Sequence, residues 1–195
     1  MINVQYYDYL FKIIPKYNKV KVNAGYLNVQ KYHIRINTIS KYLINLFYFL
    51  KKHTYTKFEL LNDIVTYDLL TELVRFKLIY LTRSILWNTS MEVIIMLNKI
   101  NNNYILPSIY KIYYSTLWIE NEIWDMFGIY FFDNKYLSRI LTDYGFIGFP
   151  LRKDFPLTGF LELQYALKNK LLFYTPVELT QEYRNFFNIY KRYAR

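Results

Sequence analysis

The sequence predicts an α+β fold in which helices pack on one face of a mixed or antiparallel sheet, followed by an extended C-terminal tail. Three observations predict this class. Short segments rich in β-branched and aromatic residues recur at 58–66, 74–82 and 91–97, as expected of strands. Apolar residues spaced three and four apart within residues 40–53 indicate an amphipathic helix. Beyond residue 128, glycine and proline interrupt the chain too often for long helices.

The first predicted elements are a strand and a helix. Val29–Asn37 alternates imperfectly between apolar and polar residues, which favours a strand. Ser40 is a candidate N-cap for a helix that ends near His53, because a serine hydroxyl accepts a free backbone N–H well. That helix places an apolar stripe on one face, formed by Leu43, Leu46, Phe47 and Leu50.

The middle of the chain predicts a β-hairpin and a second helical region. A turn at Trp87–Ser90 separates the second and third strand-like segments and indicates the hairpin. After a polar break at 101–103, Ser108 is a candidate cap for a short helix. Leu117–Phe127 is predicted as a further helix. Gly128 suits its C-terminal end, where a residue that tolerates positive φ is favoured.

The C-terminal region is predicted to be a tail with little core of its own. Phe160–Leu167 and Leu171–Tyr174 are candidate short strands that pair with each other. Aromatic residues in such a tail suit docking into pockets of a neighbouring protein. We therefore predict a compact domain over residues 1–132 and, over residues 133–195, an extended tail that docks on a partner.

Composition narrows the functional class. The chain has no cysteine, so it supplies no disulfide, zinc thiolate or cysteine-ligated iron–sulfur cluster. Its net charge of +10 is compatible with nucleic acid, an anionic membrane or an acidic protein. The basic residues are scattered singly instead of forming a stripe, so nucleic-acid binding is not predicted. The most apolar run, Tyr42–Leu50, is far shorter than the ~20 residues of a transmembrane helix, and none is predicted.

Candidate catalytic and metal-binding groups are weak. Glu120, Glu122 and Asp125 lie within six positions, yet on a helix Glu120 points away from the other two and no histidine is near. We interpret them as solvated or interface-paired acids. Gly145–Gly148 lacks the lysine and further glycine of a phosphate-binding loop. The two histidines are isolated and lack metal-ligand spacing: His33 and His53. No catalytic and no metal site is predicted.

A charged segment between two prolines is a candidate interface. The prolines bias residues 151–155 to extended backbone, so that Arg152 and Asp154 project to one side and Lys153 to the other. A strip of this kind satisfies its polar groups against a partner surface, where the Arg152 guanidinium suits a carboxylate or carbonyl groups. The alternative is an intrachain pair, Arg139–Asp143 or Arg152–Asp154, that only pins the loop.

Three sequence blocks resemble one protein family in their order and spacing. They are WIENEIWDMFGI at Trp118–Ile129, RILTDYGFIGFPLRKDFPLTG at Arg139–Gly159 and PVELTQEYR at Pro176–Arg184. Together they resemble the thirty-kilodalton core subunit of respiratory complex I, over Phe58–Asn185, with a weaker match before. Two positions depart from the family pattern: Asn121 stands where an arginine is usual, and Phe149 where a histidine is usual.

The resemblance implies a structural role in the matrix arm of complex I. Such subunits carry no flavin, iron–sulfur cluster or quinone-reactive residue, and they brace the forty-nine-kilodalton subunit beside cluster-bearing neighbours. The predicted partner interface comprises Arg139, Asp143, Tyr144, Arg152, Asp154, Phe155 and Glu178. The implied location is the matrix side of the mitochondrial inner membrane. An N-terminus without presequence character and a residue choice typical of AT-rich genomes favour organelle encoding.

Two other functional classes stay open. The net charge and the many aromatics also fit a basic organellar RNA-binding or ribosomal protein. The carboxylate cluster alone suggests a small hydrolase, but no nucleophile–base arrangement accompanies it. We predict no catalytic residue and no cofactor bound by this chain, with flavin and iron–sulfur clusters on other subunits.

Overall fold

A computed structural model describes residues 19–23, 33–70, 74–98, 104–181 and 183–184. Contacts divide the chain into two units, Met1–Phe155 and Pro156–Arg195. Among the described residues, the first unit contains a five-stranded sheet, two α-helices and a pair of short parallel strands, and the second contains a two-stranded sheet. The predicted α+β class is confirmed.

The main sheet of the first unit is mixed. Its strands are β1 (Lys19–Asn23), β2 (His33–Thr38), β3 (Leu60–Asp68), β4 (Val74–Ser84) and β5 (Thr89–Asn98), in the order β1-β2-β5-β4-β3. Neighbouring strands are antiparallel except β2 and β5, which are parallel. Strand β1 was not among the predicted elements. The predicted start of β2 at Val29 lies outside the described residues.

Helix α1 (Leu43–Lys52) covers one face of this sheet. Its buried residues are the four predicted from the spacing, and the Phe47 ring lies 5.2 Å from the ring of Tyr80 in β4. Alternation along β4 buries every second side chain from Phe76 to Ser84, as period-two geometry requires. Ser40 does not cap α1, because residues 40–42 form a 3-10 turn whose backbone bonds take that place.

Strands β4 and β5 form the predicted hairpin. Ser84 pairs with Thr89, so the connecting turn covers residues 85–88, two positions earlier than predicted. Asn88 closes the turn with φ of +47°, a conformation that asparagine tolerates better than most residues. The Asn88 side chain accepts a hydrogen bond from Arg83 at 2.8 Å, which fixes the turn on its own strand.

Residues 104–132 form a small parallel pair connected by a helix. β6 (Ile105–Pro107) pairs with β7 (Tyr130–Phe132), and α2 (Thr116–Phe127) connects them, the usual crossover for parallel strands. Helix α2 begins one residue before its predicted start. Gly128 ends it with φ of +71°, as predicted. The short helix predicted after Ser108 is instead a turn, in which the Ser108 hydroxyl accepts the Tyr110 N–H at 3.3 Å and donates to Glu120 of α2.

Residues 133–155 form turns and irregular backbone inside the first unit. The division between units therefore falls after Phe155, whereas the sequence places the domain boundary after Phe132. Glycine and proline breaks suggest a tail here, but buried side chains of α2 hold this segment, as described below. The docking of a tail on a partner stays a prediction.

The described part of the second unit contains one hairpin. β8 (Leu161–Ala166) and β9 (Leu171–Pro176) pair antiparallel, close to the predicted strand positions. A backbone hydrogen bond of 3.1 Å from Val177 to Phe160 extends the ladder at its open end. Lys170 closes the turn with φ of +53°.

Candidate functional site

Helix α2 holds the acidic residues that the sequence singles out. Glu120 and Asp125 are completely buried, and Glu122 is exposed. The interpretation as solvated or interface-paired acids is therefore wrong for Glu120 and Asp125, whose partners lie within the chain. Helix periodicity does not predict this, because each carboxylate is buried among hydrogen-bond donors from other segments of the chain.

Asp125 binds the loop that follows β7. Its Oδ2 atom accepts the backbone N–H groups of three consecutive residues at 3.1, 2.8 and 2.9 Å: Ile140, Leu141 and Thr142. Its Oδ1 atom accepts the Thr142 hydroxyl at 2.7 Å and pairs with Arg139 at 3.1 Å. Burial alone would raise the pKa of Asp125, but these hydrogen bonds outweigh it and lower the pKa below 3.8. The buried carboxylate stays ionised and fixes the loop on the helix.

Glu120 ties the segments beside β6 and β7 to the same helix. It accepts hydrogen bonds from the Ser108 hydroxyl at 2.5 Å, the Ile109 N–H at 3.0 Å and the Asn134 amide at 3.0 Å. Burial nevertheless raises the pKa of Glu120 above its ordinary value of 4.5. Burial, together with the charge of Glu120, also raises the pKa of Tyr80. Glu120 is thus a structural acid with three donors around it.

Arg152 closes the C-terminal end of α2. Its Nε atom donates to the Phe127 carbonyl at 2.6 Å, and its Nη2 atom lies 3.4 Å from the Gly128 carbonyl. The guanidinium stacks 4.2 Å from the Phe149 ring centre. A cation beside the last carbonyls of a helix is favourable, because these carbonyls have no partner within the helix. Burial and the neighbouring charge of Arg75 lower the pKa of Arg152.

Residues 151–155 form a turn instead of the predicted extended strip. Asp154 pairs with Arg75 of β4 at 2.6 Å, and Arg75 also lies 3.4 Å from Asp68 at the end of β3. The Lys153 N–H donates to Asp68 at 2.9 Å, and a backbone bond of 3.0 Å closes the turn. The prediction of an extended strip is wrong, because these ion pairs hold the segment against the sheet edge.

Both intrachain pairs considered from the sequence are absent among the described contacts. Arg139 bonds Asp125 and the Gly148 carbonyl, not Asp143. Arg152 bonds helix carbonyls, not Asp154. Both arginines make intrachain contacts, with other partners than those named, and their assignment to a partner interface stays a prediction. Sequence patterns do not single out Asp68 and Arg75, because their partners Lys153 and Asp154 lie far away in the chain.

The remaining predicted interface residues lie in different environments. Asp143 and Tyr144 are exposed at the tip of the held loop, and Tyr144 is 96% exposed. Phe155 is half-buried, with its ring 5.9 Å from that of Phe146. Glu178 is exposed in the second unit. The assignment of these residues to a partner interface stays a prediction.

The two residues that depart from the family pattern, Asn121 and Phe149, both make contacts within the chain. Asn121 is buried, and its amide donates to the Tyr136 carbonyl at 3.2 Å. The Phe149 ring contacts two cations, with its centre 4.2 Å from the Arg152 guanidinium and 5.1 Å from that of Arg139. Contacts of this kind are attractive, because the ring face carries negative potential.

Within the ranges that the structure describes, no group of three or more His, Cys, Asp or Glu residues is placed to hold a metal ion. A cavity of about 220 Å³ lies between β3 and α2, smaller than the ~300–1,000 Å³ of typical ligand pockets. No helix in these ranges is long and apolar enough to cross a membrane. The absence of a bound cofactor stays a prediction.

Comparison with known proteins decides the family. Residues 36–161 match the family model of the respiratory-chain NADH dehydrogenase 30 kDa subunit. The chain belongs to this family. The family assignment predicted from the three sequence blocks is thus confirmed. The matched range of this 30 kDa subunit runs from β2 to the first residue of β8, so it contains the Asp125 network and ends where the second-unit hairpin begins.

Curated relatives support the 30 kDa family assignment over most of the chain. NADH-ubiquinone oxidoreductase subunit 9 of Dictyostelium discoideum is 42% identical over 172 residues, 86% of this chain and 78% of the relative. Subunit 9 of Acanthamoeba castellanii is 44% identical and covers 73% of this chain and 70% of the relative. NADH dehydrogenase [ubiquinone] iron-sulfur protein 3 of Arabidopsis thaliana is 41% identical over 78% of each.

Two solved structures show the same fold. A chain of the membrane-bound sulfane sulfur reductase, an archaeal respiratory membrane complex, matches with a TM-score of 0.64 at 20% identity, over 78% of this chain and 85% of that one. The trypsin-resistant fragment of Nqo5 matches with a TM-score of 0.52 at 19% identity, over 67% of this chain and 98% of the fragment.

Proposed function

We propose that this 30 kDa-family chain is a structural core subunit of the peripheral arm of respiratory NADH dehydrogenase. In this proposal it braces the forty-nine-kilodalton subunit beside the quinone site, on the matrix side of the mitochondrial inner membrane. The observation that supports it is the family match over residues 36–161, together with NADH-ubiquinone oxidoreductase relatives that are matched over 70% or more of their length. The eukaryotic relatives support a mitochondrial location.

The geometry of the first unit suits a bracing role. Asp125 and Arg152 fix an irregular loop on helix α2, so the loop's outer residues are held before any partner arrives. Binding costs less when the contact surface is already ordered, because less conformational entropy is lost. Asp143 and Tyr144, at the exposed tip of this loop, are therefore held in position to contact a neighbour.

The charged side chains of the site serve the fold in this proposal. Glu120 and Asp125 are saturated with donors, and Arg152 is occupied by helix carbonyls. In this proposal neighbouring subunits bind the electron carriers, and this chain holds those subunits in position. NADH oxidation, electron transfer to ubiquinone and proton pumping belong to the whole enzyme.

Co-migration tests the proposal. A tagged chain should migrate on native gels with the band that oxidises NADH, and quantitative mass spectrometry should find one copy per complex. Migration with ribosomal particles, or as a free chain in mitochondria that contain assembled enzyme, would contradict it. Salt-titrated RNA binding of the purified chain distinguishes the ribosomal outcome.

Tyr144 offers a sharper test of where the neighbour binds. Tyr144→Ala should lower incorporation into the complex without changing the melting temperature of the purified chain. Tyr114→Ala is the matched control, because Tyr114 is also a highly exposed tyrosine of the first unit, at 77%. Equal incorporation of both variants would show that the loop tip does not contact the partner.

A further inference from the structure

Among the described residues of the second unit, the hairpin of β8 and β9 is regular but has no core of its own. Its strands form a two-stranded sheet, and most of its large apolar side chains are half or more exposed. Isolated two-stranded hairpins are at best marginally stable in water. A hairpin of this kind therefore requires a surface that covers it.

The strand register sorts its side chains onto two faces. Residues directly opposite each other in an antiparallel pair share a face. One face, named here the apolar face, has no polar side chain except two tyrosine hydroxyls: Leu161, Leu163, Tyr165, Leu172, Tyr174 and Pro176. The opposite face is mixed, and its Gln164 and Glu162 bond each other at 2.8 Å. The covering surface is expected on the apolar face, because the opposite face carries the polar side chains Glu162, Gln164 and Thr175.

We propose that the apolar face of this hairpin docks on an apolar surface of a neighbouring protein subunit, with acidic groups of that neighbour beside the hairpin turn. Acidic groups are expected in the partner because the turn is positively charged: Lys168 and Lys170 flank its tip, and both are exposed. This inference rests on the proposed function. It adds the surface that binds, which lies almost wholly beyond the family range of 36–161, and it adds the chemistry of the partner.

A lipid bilayer is a poorer occupant than a protein. Each strand of a two-stranded sheet has one edge whose N–H and C=O groups have no strand partner. Hydrocarbon offers these groups no hydrogen bonds, so only helices and closed barrels span it. A protein surface has its own donors and acceptors, or leaves the edges at a wet rim. The two tyrosines are also suited to protein interfaces, where their hydroxyls find partners.

A second copy of the chain is also a poorer occupant. Stacking two apolar faces would bring together two chains that each carry a net charge of +10, and large net charge opposes self-association. A neighbour with acidic groups beside the turn is attracted to the chain instead of repelled, because those groups attract Lys168 and Lys170.

Adjacent leucines give a matched experiment. Leu172 lies on the apolar face and is 65% exposed, and Leu171 lies on the opposite face and is 64% exposed. We expect full-length Leu172→Glu to incorporate into the respiratory complex at least tenfold less than wild type, and Leu171→Glu within twofold of it. Incorporation is read on native gels with an in-gel NADH oxidation stain. Thermal unfolding of the purified variants should be the same.

The possible results separate the docking face, the proposed function and the kind of partner. Equal incorporation of both variants, while the wild type assembles, overturns the docking face and leaves the proposed function standing. Failure of the wild type to assemble overturns the proposed function itself. Flotation of the purified wild-type chain with anionic vesicles, lost in Leu172→Glu, would replace the protein partner by lipid. Concentration-dependent dimers that are lost in Leu172→Glu would replace it by a second copy.

Discussion

The loop at 139–155 and the hairpin of β8 and β9 combine regularity and burial in opposite ways. The loop contains no helix or strand, yet it is tied to α2 by the buried carboxylate of Asp125 and the half-buried guanidinium of Arg152. The hairpin has a complete backbone ladder, yet both of its faces carry exposed apolar residues. Regular secondary structure and local stability are therefore separate properties in this chain.

The difference follows from where the hydrogen-bond donors end up. In the loop, three successive backbone N–H groups bond one carboxylate that water does not reach, and buried charge-assisted bonds are strong. In the hairpin the backbone bonds are exchanged for bonds to water at little cost, because no core covers them. We expect the loop to stay ordered in the free chain and the hairpin to open readily.

Asp125→Ala is expected to have the largest effect on this comparison. It removes the partner of three N–H groups and the carboxylate that pairs with Arg139, so we expect a loss of about 3–5 kcal/mol in the free energy of unfolding. Urea unfolding followed by tryptophan fluorescence measures it, because all three tryptophans lie in the first unit. The control is Glu122→Ala on the exposed face of the same helix, with an expected change below about 0.5 kcal/mol. Similar losses for both would mean that the loop is not held by Asp125.

Gly128→Ala should have the next largest effect. An added Cβ would lie 2.3 Å from the Arg152 guanidinium and 2.7 Å from the Phe149 ring, at a backbone φ of +71°. We expect a loss of about 2–3 kcal/mol from strain and displacement together. Gly145→Ala has nearly the same φ, +72°, with nothing within 4 Å, so it should lose only about 1 kcal/mol. A difference near zero between the two variants would show that the Arg152 contact contributes little.

Glu120→Gln is expected to change how stability depends on pH. The folded-state pKa of Glu120 is raised, so the folded state binds more protons and stability falls as pH rises above about 4.5. Asp125 acts oppositely, since its lowered pKa gives stability that is lost as pH falls below about 3.8. Urea unfolding from pH 4.5 upward should show a shallower decline in Glu120→Gln than in wild type. Parallel profiles would contradict a raised pKa.

The smallest effect is expected in the hairpin. Leu163→Ala should change the opening free energy of the hairpin in the free chain by less than about 0.5 kcal/mol, because its side chain is half exposed. Hydrogen exchange of the β8 and β9 amides measures it. Those amides should exchange much faster than the N–H groups of residues 140–142. Slow exchange of the hairpin in the free chain would mean that it has a stabilising surface without a partner.

Much of the fold could be predicted from periodicity. The α1 stripe, the β4–β5 hairpin, the β8–β9 pair and the Gly128 helix end all follow local patterns that the structure confirms. Strands of three residues such as β6 and β7 could not, because they are too short to display a period. The Ser40 cap failed because a 3-10 turn precedes the helix.

The site was predicted less well than the fold, and for one reason. Partners such as Asp68 and Lys153, or Arg75 and Asp154, are distant in sequence, and spacing carries no information about them. Prolines around residues 151–155 suggest extended backbone, but long-range ion pairs override that preference. The burial of Asp125 cannot be predicted from the sequence of its helix, because it depends on donors in another segment of the chain.

The contacts of Asp125 also determine which sequences this loop can accept. Of residues 140–142, only Thr142 contributes a side chain to the carboxylate, and the other two contribute backbone N–H groups. Ile140 and Leu141 can therefore vary widely in chemical type without loss of the contact. Proline is the exception, because it removes the donor itself. Positions 140 and 141 should tolerate any residue except proline, position 142 should favour a hydroxyl side chain, and the helix position that binds them should tolerate almost no change.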